Sequence, residues 1–117
     1  MGIYRYYFVQ KDGATIAWRV VESENDGAAC DQALGLFVGY PRAEKVEVWD
    51  HTSLILSYCR SQAQTPEEMR RLCYLAIGVA NKEIDGEIRK TVASHAAMLA
   101  QEAEALERHA MSDSRHS

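Results

Sequence analysis

The chain has 117 residues, a length that supports one hydrophobic core more readily than two. Its composition, 47% hydrophobic and 26% charged, is that of a globular protein and excludes a disordered or fibrous chain. The formal charge of -4 is shared evenly by the two halves, so neither is a basic module and nucleic acid is disfavoured as a partner. No apolar run is long enough to span a membrane, and the start lacks the order of a signal peptide, so we expect a cytoplasmic protein.

The first half of the chain has the pattern of strands around one helix. Tyr4 to Gln10 and Thr15 to Glu22 are rich in aromatic and β-branched residues, and the Asp-Gly pair between them predicts a hairpin. Apolar residues at helical spacing then predict a helix that ends near Gly39. Lys45 to Asp50 and Ser53 to Cys59 predict a second hairpin, which makes the order ββαββ.

Both faces of these strands carry apolar side chains. On the second strand, for example, Ile16 and Trp18 alternate with Ala17 and Val21. A sheet with one solvated face should alternate apolar with polar residues, so this sheet needs a cover on each side. The internal helix provides one cover, and the second half of the chain is the candidate for the other.

The second half has the pattern of two helices. Thr65, Pro66 and Glu68 form a helix start in which Thr65 caps and Glu68 completes a capping box. A polar turn follows, and Asp85 begins a second helix that runs to about Ala110. The sequence therefore predicts an α+β protein: a small antiparallel ββαββ sheet with one packed helix, then a C-terminal antiparallel helical hairpin.

The change of pattern divides the chain into a ββαββ domain at 1–61, a short linker at 62–64, a helical hairpin at 65–110 and a frayed tail at 111–117. We expect the hairpin to pack on the sheet or on a partner chain. Its longer second helix overhangs the first, and an apolar stripe without a partner in the chain favours a second copy. The expected interface residues are Leu72, Ile88, Val92, His95, Leu99 and Leu106.

The sequence contains no catalytic, metal or cofactor motif. Asp50 to Ser53 has the residue types of a hydrolase triad, but neighbours on a tight turn point away from one another. His95 and His109 are too far apart on one helix to share a metal. Cys30, Cys59 and Cys73 have no close pair and are expected to be buried thiols; an enzyme would need Cys30, Cys59 or His51 to be reactive.

Several short motifs carry a resemblance to known proteins. They are Tyr6-Tyr7-Phe8, Asp12-Gly13, Ala29 and Ala33, Val46 to Asp50, Arg70, Leu72, Ala76, Asp85 and Ile88-Arg89. They resemble small uncharacterised proteins of rhizobia and related alphaproteobacteria, which implies a ββαββ domain of unknown function with a helical hairpin and no known site residue. The ββ-then-helix segment made by Tyr6 to Gly13 and the helix that follows is also similar to antitoxin-like proteins, which would imply a protein or nucleic-acid partner.

Two functions follow from the sequence, ahead of an enzyme. The first is a non-enzymatic protein-interaction module that forms a homodimer or larger oligomer through its helices. The second is a regulatory domain that binds a small ligand or nucleic acid on the aromatic sheet, with Tyr4, Tyr6 and Trp18 as the ligand face.

Overall fold

The computed structural model describes the backbone of residues 2–83 and 85–115, and the side chains of these ranges as far as residue 109. The elements in chain order are β1 (Gly2–Val9), β2 (Thr15–Ser23), α1 (Asp26–Val38), β3 (Lys45–Asp50), β4 (Ser53–Cys59), a 3-10 turn (Arg60–Gln62), α2 (Pro66–Lys82) and α3 (Gly86–Arg115). The predicted α+β fold is confirmed. α3 continues to Arg115, into the segment predicted as a frayed tail, and 116–117 lie outside the described residues.

The four strands form one antiparallel sheet in the order β2-β1-β3-β4. Tyr6 lies between Arg19 of β2 and Val48 of β3, and Val48 is opposite Leu56 of β4. Alternate residues of the central strands point toward α1 and are buried: Tyr4, Tyr6, Phe8, Val46 and Val48. In the sheet, β1 lies between β2 and β3, so the connection from β2 to β3 must pass across β1. α1 forms this connection and covers the inner face.

α1 is buried on more than one side. Its buried residues include six in succession from Ala33 to Val38, so its apolar surface goes round the helix, as in a helix enclosed by protein. One side contacts the sheet, where the Phe37 ring meets the Tyr58 ring edge-on at 6.2 Å between centroids. The other side contacts α2 at Gly35, where an added Cβ would lie 2.6 Å from the carbonyl oxygen of Leu75. α1 is therefore the middle of three layers.

The helical hairpin forms the third layer, behind α1. α2 and α3 run antiparallel, with Arg70 near the start of α2 bonded to Glu107 late in α3 at 2.7 Å. Thr65 caps α2 by accepting a hydrogen bond from the Glu68 N–H at 3.2 Å. The predicted capping box is not completed, because the Glu68 carboxylate accepts from the Tyr58 hydroxyl instead.

The hairpin does not supply the second cover of the sheet. The sequence placed it on the sheet or on a partner, whereas in the structure α2 packs on α1. The physical reason is that α1 itself needs two covers, and the stripe of α2 that contains Leu72, Ala76 and Val79 joins the same buried cluster as the sheet residues. Residues on both sides of 62–64 thus share one core, and the second face of the sheet stays exposed.

Candidate interaction surface

The face of the sheet opposite α1 is called the open face here, and it is built by alternate residues of all four strands. The β1–β2 register sets Tyr7 beside Trp18 and Arg5 beside Val20, and the β1–β3 register sets Arg5 beside Trp49. The open face includes Ile3, Arg5, Tyr7, Thr15, Trp18, Val20, Lys45, Glu47, Trp49, Leu54, Ser57 and Cys59, with Glu22 at its border beside Ile3.

The open face is apolar and accessible. The exposed fraction is 64% for Trp18, 59% for Ile3, 57% for Val20 and 47% for Leu54. Single exposed apolar side chains are common on proteins. These four, however, share one surface with the aromatic rings of Tyr7 and Trp49. Large exposed apolar surfaces are typical of sites of interaction.

Charged residues interrupt this surface at four positions, which are Arg5, Lys45, Glu47 and Glu22. The guanidinium of Arg5 donates to the carbonyl oxygen of His51 and lies 6.0 Å from the centre of the Tyr7 ring. Glu47 is held by Lys45, at 3.1 Å, and by the indole N–H of Trp49, at 3.2 Å. Among the described residues, no carboxylate forms an ion pair with Arg5, so a cation without an acidic partner lies in the middle of the open face.

Of the three residues predicted to form a ligand face, the structure places Trp18 on the open face and Tyr4 and Tyr6 in the core on the inner face. Both tyrosines point to the inner face, where Tyr4 donates to Asp26 at 2.8 Å and Tyr6 donates to Gln32 at 3.0 Å. Strand alternation puts positions 4 and 6 opposite to 5 and 7. Three residues that share the open face with Trp18 were not predicted from the sequence: Arg5, Tyr7 and Trp49. Tyr7 lies directly beside Trp18, and the hairpin register of the Asp-Gly turn was the signal that could have found it.

The predicted helical interface is largely internal. Leu72 and Val92 are each 1% exposed, because both belong to the core that α1, α2 and α3 share, so the prediction of an external interface is wrong for these two. Ile88 and Leu99 are half-buried and pack against that core. His95 is also half-buried, and Leu106, 40% exposed, is the member most open to an outside partner.

The groups that would support chemistry are dispersed. Burial, with Asp26 and Asp31 adding to it, raises the pKa of the Cys30 thiol and opposes a reactive thiolate. His51 lies on the exposed β3–β4 turn, 3.8 Å from its neighbour Asp50. Within residues 2–83 and 85–109, no group of three His, Cys, Asp or Glu side chains is placed to hold a metal ion.

Family models, curated proteins and solved structures all fail to match this chain. The resemblance to small alphaproteobacterial proteins therefore stays a prediction. In the part of the chain that the structure describes, none of the helices has both the length and the apolar character needed to cross a membrane.

Proposed function

We propose that the protein is a non-enzymatic interaction module that self-associates by packing the open faces of two copies against each other. The observation that carries this proposal is the apolar open face, which the chain's own helical hairpin leaves uncovered. This keeps the self-association expected from the sequence but moves it from the helices to the sheet.

The size of the open face supports a second copy as its occupant. Four strands spaced about 4.8 Å apart, each rising about 3.3 Å per residue over six to nine residues, give a flat area of roughly 400–550 Å². Two such faces bury roughly 1,000 Å² in total, without the extra area that protruding side chains add. A total of about 1,000 Å² is the lower limit for a specific interface. Sheets packed in this way lie about 10 Å apart, with their side chains interdigitated.

The charges of the open face are self-complementary. Arg5 and Lys45 supply two positive charges, and Glu47 and Glu22 supply two negative ones. In a two-fold interface the same patch meets itself, so Arg5 of one copy can lie near an acid of the other. A nucleic acid would require clustered cations that this face does not carry.

Sedimentation over a wide range of protein concentration tests the proposal. We expect the wild-type mass to rise toward twice the 13.2 kDa of one chain, and Trp18→Glu to raise the dissociation constant at least about 30-fold, since a buried interface tryptophan contributes about 2 kcal/mol or more. Leu106→Glu is the matched control on α3 and should leave the dissociation constant unchanged. The chain's two tryptophans both lie on the open face, so their fluorescence should shift to shorter wavelength over the same concentrations.

Two results would contradict the proposal. A wild-type chain that stays monomeric at the highest soluble concentration would remove self-association altogether. A dimer that Leu106→Glu dissociates and Trp18→Glu leaves intact would place the interface on the helices, as the sequence first indicated.

A further inference from the structure

A concave surface lies between the end of β2, the start of α1 and the second half of α2, and it adjoins the open face at Glu22. We call it the α1–α2 groove. Its volume is about 730 Å³, within the roughly 300–1,000 Å³ typical of binding sites. It is a groove with an open side rather than a closed cavity, so an elongated occupant can enter along α2.

One wall of the α1–α2 groove is apolar. Tyr74 and Ile77 are three residues apart on α2, lie on the same side of the helix and are 78% and 51% exposed. The next residue, Gly78, has no side chain, and a Cβ added there would meet no atom within 4 Å. This stretch of α2 therefore presents an aromatic and an aliphatic anchor beside empty space.

The opposite wall is acidic. It is formed by Glu22 and Glu24 at the end of β2 and by Asp31 on α1. In the described part of the chain none of these three carboxylates forms an ion pair, and a fourth acid, Glu83, is paired with Arg19 at 3.1 Å. Lys82 is the one basic residue among the described side chains that line the groove.

We propose that the α1–α2 groove binds a basic amphipathic segment of a partner protein. Aliphatic side chains on one side of that segment would pack on Tyr74 and Ile77, while Lys or Arg on its other side would meet Glu24 and Asp31. This is the arrangement by which an amphipathic helix binds in a groove, with apolar anchors at helical spacing and charge complementarity at the rim. The acidic wall makes an acidic or nucleic-acid occupant unfavourable.

Fluorescence anisotropy with a labelled, short amphipathic Leu/Lys peptide at about 0.15 M ionic strength tests the proposal, because this salt screens long-range attraction to an acidic protein. The groove variant is Glu24→Gln with Asp31→Asn; Glu22 is left unchanged because it also borders the open face. The control variant is Glu102→Gln with Glu104→Gln, which makes the same change of charge on the exposed face of α3. We expect the groove variant to weaken binding at least tenfold and the control variant to leave it within twofold.

The apolar wall has its own test. Ile77→Ser leaves the charge unchanged and should weaken binding of the Leu/Lys peptide several-fold. A Leu/Glu peptide of the same length should not bind. Equal weakening by the groove and control variants, or no Leu/Lys binding to the wild type, would overturn the proposal. Binding of spermine without binding of the peptide would assign the groove to a small amine and would also overturn it.

All titrations are repeated with Trp18→Glu, in which the open face is disrupted. Peptide binding that persists there shows that the groove acts independently of self-association. The dimer proposal can then fail while the groove proposal stands, and the reverse holds as well.

Discussion

Replacing Gly35 by alanine tests the three-layer packing at its tightest point. A Cβ at this position of α1 would lie 2.6 Å from both the Leu75 carbonyl oxygen and Cγ2 of Val79, and 2.9 Å from the Leu75 carbonyl carbon. Two of these three atoms belong to the backbone of α2 and cannot rotate away. The substitution therefore forces α2 to move from α1 or leaves a steric clash.

The size of the effect is a balance between two terms. Alanine in a helix interior is favoured over glycine by about 1 kcal/mol, and inserting a methyl group into a well-packed contact costs about 1–3 kcal/mol. Because the clash is with backbone atoms, we expect the upper half of that cost and a net loss of about 1–2 kcal/mol. In a domain of this size that corresponds to a fall in melting temperature of roughly 4–10 °C.

Gly78→Ala is the matched control, since it makes the same chemical change in the interior of α2, where a Cβ meets nothing within 4 Å. It should stabilise the protein by about 0.5–1 kcal/mol through helix propensity alone. Both variants are compared with the wild type by urea unfolding at one protein concentration, because the proposed self-association would be coupled to folding. A Gly35→Ala protein at least as stable as the wild type would refute the close approach of α1 and α2.

Two further predictions concern side-chain hydrogen bonds. Arg60 donates to the carbonyl oxygens of Phe37 and Tyr40, and its guanidinium lies 4.0 Å from the centre of the Phe37 ring. Arg60→Met should lower the free energy of unfolding in urea by about 2–3 kcal/mol. A decrease below about 0.5 kcal/mol would contradict the role of these bonds. The hydrogen bond to Asp26, and burial after it, raise the pKa of Tyr4 to about 12. A raised folded-state pKa means that this contribution to stability is complete below the unfolded pKa of about 10 and is lost as the pH rises through 12. The difference in phenolate absorbance between wild type and Tyr4→Phe should show a transition near pH 12, and a transition near pH 10 would refute the effect of Asp26.

Local signals in the sequence predicted the elements well because each acts over a few residues. Gly13, with φ of +92°, takes the left-handed conformation that glycine permits in the hairpin turn, and the Asp12 carboxylate accepts from the Ala14 N–H. Thr65 and Asp85 both accept hydrogen bonds from backbone N–H groups at the starts of α2 and α3. Such turns and caps depend on residues two or three positions apart, so the sequence alone was enough to place them.

The assignment of surfaces could not be predicted in the same way, because it depends on which apolar faces meet. Leu72 and Val92 form helical stripes that would fit the sheet, another helix or a second chain equally well. Trp18 and Tyr6 are both aromatic residues of strands, and only the register shows that they lie on opposite faces. The sequence therefore indicated that the sheet has two apolar faces to cover. It could not show that α1 also has two apolar sides, one for the sheet and one for α2.

The turn after β4 offers a physical reason why the hairpin covers α1 and not the open face. Arg60 follows β4 directly, and its side chain bonds to carbonyl oxygens at the end of α1 and to the Ala43 carbonyl at 2.8 Å. These bonds hold the chain on the α1 side of the sheet at the point where α2 is about to begin. The side of α1 that carries Gly35 then receives α2, and Gly39 just after the end of α1 receives Val92 of α3. A hairpin placed on the open face would leave that side of α1 exposed. One hairpin cannot cover two apolar surfaces, so the open face stays exposed.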